Sequence, residues 1–264
     1  MSLTLTVLGC GSSGGVPRAG QGWGLCDPQN PKNRRRRCSL FIERKSEDGL
    51  TNLLIDTAPD LREQMIDAAV GRVDAVAYTH AHADQCHGID DLRPYVIMHK
   101  ARIPCFMDEP TAERLRAAFD YIFETPPGSF YPPLLAERRI RPGEPFEVAG
   151  PGGSMPVLPF RVAHGDIPAL GFRIGDAAYM PDVSGIPDES FDALRDLDLL
   201  ILDALRQTAH PSHFSVPDAL AWIARLRPQR AVLTNLHTDL DYARLAAELP
   251  PGVEPAYDGL RLTV

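Results

Sequence analysis

"YTHAHADQCHGIDDL" (Tyr78–Leu92) holds His80, His82, Asp84 and His87 within eight positions. The apolar run "AVAYTH" (75–80) leads into it and reads as a β-strand, so His80 closes a strand and His82 lies two residues on. In extended backbone, residues i and i+2 face the same way, so both imidazoles can reach one ion, and Asp84 continues the spacing. A lone histidine is most often a satisfied core or surface residue. Three histidines and an aspartate at a strand end point instead to a transition-metal site.

Working outward, strand-length apolar runs alternate with helical patterns. "TLTVLG" (4–9), "CSLFIE" (38–43) and "NLLIDT" (52–57) precede the histidine cluster as strands. "MPVLPFRVAH" (155–164), "LGFRIGDAAYM" (170–180), "LLILDA" (199–204) and "RAVLTNL" (230–236) follow it. Helices are expected after Asp60, where Asp60 and Glu63 stand at capping-box spacing, over 111–123, over 216–226 behind Ser215 and Asp218, and over 241–249. The alternation predicts an α/β layered fold with its site on the loops that follow strands. No internal repeat and no clear linker is present, so residues 1–264 are read as one domain.

Three later strands end in further ligand candidates: His164 in "VAHGD", Asp182 in "MPDVS" and His237 in "TNLHTD". "GCGSSG" (9–14) fits the spacing of a dinucleotide-binding loop, but the prolines and glycines of "GVPRAGQGWG" forbid the helix such a loop must open. It reads as a tight, backbone-exposing loop near the site.

Composition narrows the partners. The net charge of −8 makes long nucleic acid a poor partner, because that binding rests on neutralising phosphates. No apolar run is long enough for a membrane span, and the N-terminus reads as a first strand without a leader. Five scattered cysteines argue against a disulfide framework and for the cytoplasm. Arg34–Arg37 is either a solvated charge run or a patch for a small anionic substrate.

"THAHADQCHG", "AHGD", "PDVS" and "NLHTDLD", in that order, resemble the metallo-β-lactamase fold superfamily over nearly the whole chain. "LGCGSSGGVPR", "RRRRCS", "HPSHFS" and "YDGLRL" are closer to one branch, which holds the cyclic phosphodiesterase of phosphonate operons (PhnP) and, more distantly, tRNA 3′-end nucleases. The resemblance implies an αββα four-layer sandwich and two divalent metal ions. It assigns His80, His82 and His164 to the first ion, and Asp84, a bridging Asp182 and His237 to the second. Zinc suits these donors, while manganese or iron fits where oxygen ligands are numerous.

Two departures matter. The family's H-x-H-x-D-H carries Gln85 in its last position, which leaves the second ion short of a donor; His87 could replace the lost ligand or hydrogen-bond the cluster from outside. The branch's cysteine-rich structural zinc segment keeps only Cys26, so no structural zinc is expected.

The implied chemistry is hydroxide attack on phosphorus between two metals, with Asp84 and His213 as catalytic residues and His213 assisting the leaving group. Arg36, Arg37 and His210 are candidates for binding the substrate phosphate, and Asp203 for orienting a histidine. The expected function is a metal-dependent phosphodiesterase acting on a small cyclic phosphate or nucleotide-like ester. The alternatives are a thioester or lactone hydrolase on the same fold, and a metal- or nucleotide-binding protein with little catalysis. The expected partner is the small phosphate ester, with no membrane; assembly as a homodimer is left open.

Overall fold

The computed structural model describes residues 2–264. Fourteen strands form among them: β1 Ser2–Gly9, β2 Ser39–Ser46, β3 Gly49–Ile55, β4 Ala75–Ala77, β5 Ile103–Met107, β6 Leu135–Arg139, β7 Phe146–Val148, β8 Met155–His164, β9 Ile167–Ile174, β10 Ala177–Met180, β11 Leu199–Asp203, β12 Arg230–Thr234, β13 Val253–Pro255 and β14 Arg261–Thr263. The α-helices are α1 Leu61–Asp67, α2 Ala83–Cys86, α3 Arg93–His99, α4 Glu109–Ala118, α5 Asp120–Phe123, α6 Val216–Leu226 and α7 Tyr242–Glu248. One sheet has the order β14-β1-β2-β3-β4-β5-β6 and the other β13-β12-β11-β10-β9-β8-β7.

The central strands are apolar on both faces, as strands of a sheet covered on both sides must be. Leu5, Leu40, Ile42, Leu53 and Ile55 of the first sheet share one core with Val157, Phe172, Ile201 and Val232 of the second. Their neighbours Leu8, Phe41, Leu54 and Val76 point the other way, against Leu61, Met65, Val96 and Leu115 of the helices. Likewise Leu200, Leu202 and Leu233 turn outward to meet Val216, Ala219 and Leu245. Period-two alternation thus sorts successive residues between an inner and an outer layer, which makes an αββα sandwich.

Several local expectations changed. "LGFRIGDAAYM" is two antiparallel strands, β9 and β10, because Gly175 takes a positive φ of 56° and turns the chain between them. The helical pattern over 111–123 breaks at Phe119 into α4 and α5. Asp60 does not cap α1 with its side chain; its Oδ2 accepts from the backbone N–H of Arg37 at 2.9 Å. Ser215 and Asp218 do form the reciprocal capping box of α6. "GCGSSG" opens no helix: Gly11 pairs with Arg37 and with Leu236, so this loop ties the ends of the two sheets together. A Cβ on Gly9 would lie 2.1 Å from the Arg37 carbonyl oxygen, which explains the glycine. No helix among the described residues is long and apolar enough to cross a membrane.

Candidate metal centre

β10, β11 and β12 run parallel, so their C-terminal ends share one edge of the second sheet. Asp203 ends β11, Asp182 lies two residues beyond β10, and Asn235 follows β12 with a positive φ of 62°. His164 ends β8. On the first sheet β3 and β4 are parallel, which brings Asp56 beside the segment leading to His80. His82 sits immediately before α2 in extended backbone.

The rings of His80, His82 and His164 form a triangle with centroids 4.6, 5.0 and 5.1 Å apart. Their donor nitrogens lie close enough to share one ion. Nε2 of His164 is 3.3 Å from Nδ1 of His82, and two imidazole nitrogens on one tetrahedral zinc stand about 3.3 Å apart. Nε2 of His80 is buried without a hydrogen-bond partner. Such an orphan nitrogen costs free energy unless an ion accepts its lone pair.

The remaining ring nitrogens fix the tautomers. Nδ1–H of His164 donates to the carbonyl of Ser212 at 2.7 Å, which leaves Nε2 free as a ligand. The Thr79 hydroxyl donates to Asp56 Oδ2 at 2.9 Å and so accepts from Nδ1–H of His80 at 3.0 Å. Asp56 is held in turn by the Thr79 backbone N–H at 2.8 Å. Burial drives the His80 pKa well down, and takes His164 to about 4, so both are neutral donors at neutral pH. These features fit a divalent cation at the three histidines.

Beside them lies a carboxylate group. His164, Asp182 and His213 form a second set with donor atoms in mutual reach. Asp203 Oδ2 accepts from Nδ1 of His213 at 2.8 Å and from the Val183 backbone N–H at 3.0 Å. Burial raises the Asp182 carboxyl well above its usual range, with the charges of Asp84, Asp203 and Asp56 adding to it, and burial raises Asp203 to about 6. Asp84 is half-buried; Oδ2 of this residue is 3.5 Å from the Gln85 amide nitrogen.

The other candidates are placed as follows. His237 was expected on the second ion, but the structure brings Asn235 rather than His237 to Asp182. Its Nε2 lies 2.8 Å from Arg18 Nη1 and its Nδ1 2.9 Å from Asp239 Oδ1. Among the described residues, it joins neither donor group. His87 is exposed with its ring 5.6 Å from that of Phe119, so it does not fill in for Gln85. Arg36 is engaged by Asp67 at 2.8 Å and Asp258 at 3.1 Å, and Arg37 by Asp60 at 3.0 Å, in place of the free phosphate forks expected of them. Arg35 is fully buried and donates to the Leu240 carbonyl at 2.8 Å and Asn33 Oδ1 at 3.2 Å, so the arginine run is mostly structural. His210 flanks the site, its ring 5.1 Å from that of His213.

Asp56, Thr79, Asn235 and Arg18 were not singled out from sequence. Asp56 ends an apolar strand in "LLIDT", the same signature that marked Asp203. Asn235 was not singled out, because the resemblance assigned this part of the site to His237.

The profile of the beta-lactamase superfamily domain matches residues 51–235. The chain belongs to this superfamily. A diphosphatase of the PhnP family is similar over 100% of this chain and 98% of its own, at 37% identity and a TM-score of 0.89. The metallo-β-lactamase fold protein YhfI from Bacillus subtilis (18% identity, TM-score 0.71, 100% and 99% of the two chains) and human tRNase Z, short form (16%, 0.66, 98% and 98%), share the fold. A protein of Porphyromonas gingivalis named octanoyltransferase is 34% identical over 98% of this chain. The chain spans about half that relative, 51% of its length. The superfamily, the PhnP-like fold and the histidine–aspartate cluster support a metal-dependent hydrolase.

Proposed function

We propose that this protein hydrolyses a phosphodiester or phosphoanhydride bond in a small molecule, a cyclic phosphate or nucleotide-like ester being the leading class. The observation that carries the reading is the Asp203–His213 pair, set beside the histidine triangle with the His213 ring 4.7 Å from that of His164. A divalent ion at His80, His82 and His164 supplies Lewis acidity and lowers the pKa of a coordinated water. The chain's residues do the rest. Asp203 accepts a hydrogen bond from Nδ1–H of His213, so only Nε2 can exchange a proton with substrate. That nitrogen can take up the proton released by the attacking water, as an imidazolium stabilised by the Asp203 carboxylate, and pass it to a departing alkoxide or phosphate oxygen. The diphosphatase relative supports a phosphoryl substrate. Five unpaired, buried thiols support a reducing compartment.

A second reading has its own observation. A cavity of about 630 Å³ opens from His80 and His82 along Ala83, Leu115, Ala118, Phe119 and Ile167. Its size is that of a small-ligand site, and its wall is largely apolar. With the relative named octanoyltransferase, this favours an acyl thioester as the alternative substrate.

The test is a turnover screen of the metal-loaded protein with bis(p-nitrophenyl) phosphate, a cyclic ribose phosphate, a nucleoside diphosphate ester, an octanoyl thioester and a lactone. Hydrolysis of the phosphate substrates that falls sharply in His213→Ala is expected. Turnover confined to the thioester would replace the first reading by the second, and no turnover of any would leave a binding protein.

A further inference from the structure

We infer that this centre is built for one metal ion, and that the side-chain amides of Gln85 and Asn235 occupy the coordination space of a second. The inference rests on the metal-centre reading above but not on the reaction assigned to it. Asp182 is the residue through which a second ion would be shared, and both its oxygens are already engaged. Oδ2 accepts from the Gln85 amide nitrogen at 2.9 Å and Oδ1 from the Asn235 amide nitrogen at 3.2 Å. The Asn235 nitrogen also donates to Asp203 Oδ1 at 3.1 Å. It lies 3.1 Å from His213 Nδ1 as well, but that nitrogen bears the proton given to Asp203, so the two amide hydrogens go to the two carboxylates.

The chemistry of the amides sets their orientation. Turned the other way, either side chain would press a carbonyl oxygen against a carboxylate oxygen. With nitrogen inward, each turns N–H groups, which cannot ligate a cation, toward Asp182, while the carbonyl oxygen of Gln85 is buried without a hydrogen-bond partner. Two neutral residues therefore supply hydrogen-bond donors where a second ion would neutralise charge. Both are buried, so water does not compete for these bonds. His237 does not compensate, because Arg18 and Asp239 take its two ring nitrogens. The three-histidine site is separate from these amides: its donor nitrogens lie within 4.8 Å of one another, and Nε2 of His80 has no hydrogen-bond partner.

Both amides can be converted into ligands. Asn235 has a left-handed backbone, φ 62°, which histidine tolerates better than most residues. Gln85 sits in α2, where histidine is acceptable.

The test is the number of ions per chain. Wild type saturated with Zn²⁺ and freed of excess by gel filtration should carry one zinc per chain by elemental analysis and native mass spectrometry. Loaded with Mn²⁺, it should give the electron paramagnetic resonance spectrum of an isolated ion. The double variant Gln85→His/Asn235→His should carry two zinc ions and show a coupled manganese pair. Two tightly held ions in wild type, or none, would overturn the inference; so would a folded double variant, checked by circular dichroism, that still takes one. The wild-type count stands alone if the variant does not fold. One ion without hydrolysis would defeat the proposed function and leave this inference standing. Two ions with phosphodiester turnover would do the reverse.

Discussion

Asp203 Oδ2 accepts the Nδ1 proton of His213 at 2.8 Å, and the same carboxylate is held by the backbone N–H of Val183 at 3.0 Å and the amide of Asn235 at 3.1 Å. A buried carboxylate with three donors has one orientation, so it presents the imidazole in one tautomer. His213→Ala should therefore cost about 10²–10⁴ in rate on substrates with basic leaving groups. It should cost little on p-nitrophenolate esters, and metal content should stay at the wild-type level. Equal losses on both ester types would exclude proton delivery by His213.

Thr79→Val tests the chain from Asp56 to His80. Valine matches threonine in shape but removes the hydroxyl that donates to Asp56 and accepts from His80. Zinc affinity should fall about 10- to 100-fold, the usual cost of losing a partner behind a metal-binding histidine. Stability of the metal-free protein should drop by roughly 1–3 kcal/mol, because a buried carboxylate oxygen loses its donor. Zinc titration against a competing chelator reads the first effect. An unchanged dissociation constant would mean that the Thr79 hydroxyl does not hold the His80 ring.

Arg34 and Arg35 are neighbours with opposite surroundings. Arg34 is exposed, whereas Arg35 bonds to Leu240, Asn33 and the His237 carbonyl (3.3 Å) from inside. Arg35→Met should destabilise the protein by about 3 kcal/mol, since it leaves those acceptors without a donor. Arg34→Met should stay within roughly 0.5 kcal/mol of wild type. Urea denaturation of the pair decides it; similar midpoints would refute the buried clasp.

Burial raises the Asp258 carboxyl to about 6 from its ordinary 3.8, against the opposing pull of the Arg36 backbone N–H and guanidinium. The folded state thus binds this proton more tightly than the unfolded chain does. Its contribution to stability is largest at acid pH and is lost as pH rises through the window from about 4 to about 6. Asp258→Asn carries no such proton. Its melting temperature should gain on that of wild type across this window and hold a constant difference above it. A difference that does not change with pH would contradict the raised pKa.

Much of the fold could be read in the chain because alternation is local. Leu53, Leu54 and Ile55 must face alternate sides of a strand wherever that strand lies, and strands alternating with helical patterns gave an α/β layered fold; the four-layer order came from the family resemblance. The same logic put His164 and Asp203 at strand ends, where they lie; His80 was expected to close a strand as well, but β4 ends at Ala77 and His80 stands three residues beyond it. The hairpin at Gly175 was missed because an apolar run contains no record of where it folds back, apart from one glycine that also occurs within strands.

What the sequence by itself determined is the cast: three histidines with strand-end spacing, a ring of aspartates, and Gln85 where an imidazole was expected. The tertiary structure alone decided which of these meet. Asn235 and His237 are two residues apart, and in a straight strand they would face the same way. The positive φ at Asn235 bends the chain there, turning its amide to Asp182 and Asp203 and sending His237 to Arg18 and Asp239. The arginine run was settled the same way: neighbours on one extended segment face opposite sides, and only the packed loop around Leu240 determines which side is the interior. Spacing along a chain limits which side chains can share a face, but a contact between residues from different strands depends on where the sheets set those strands.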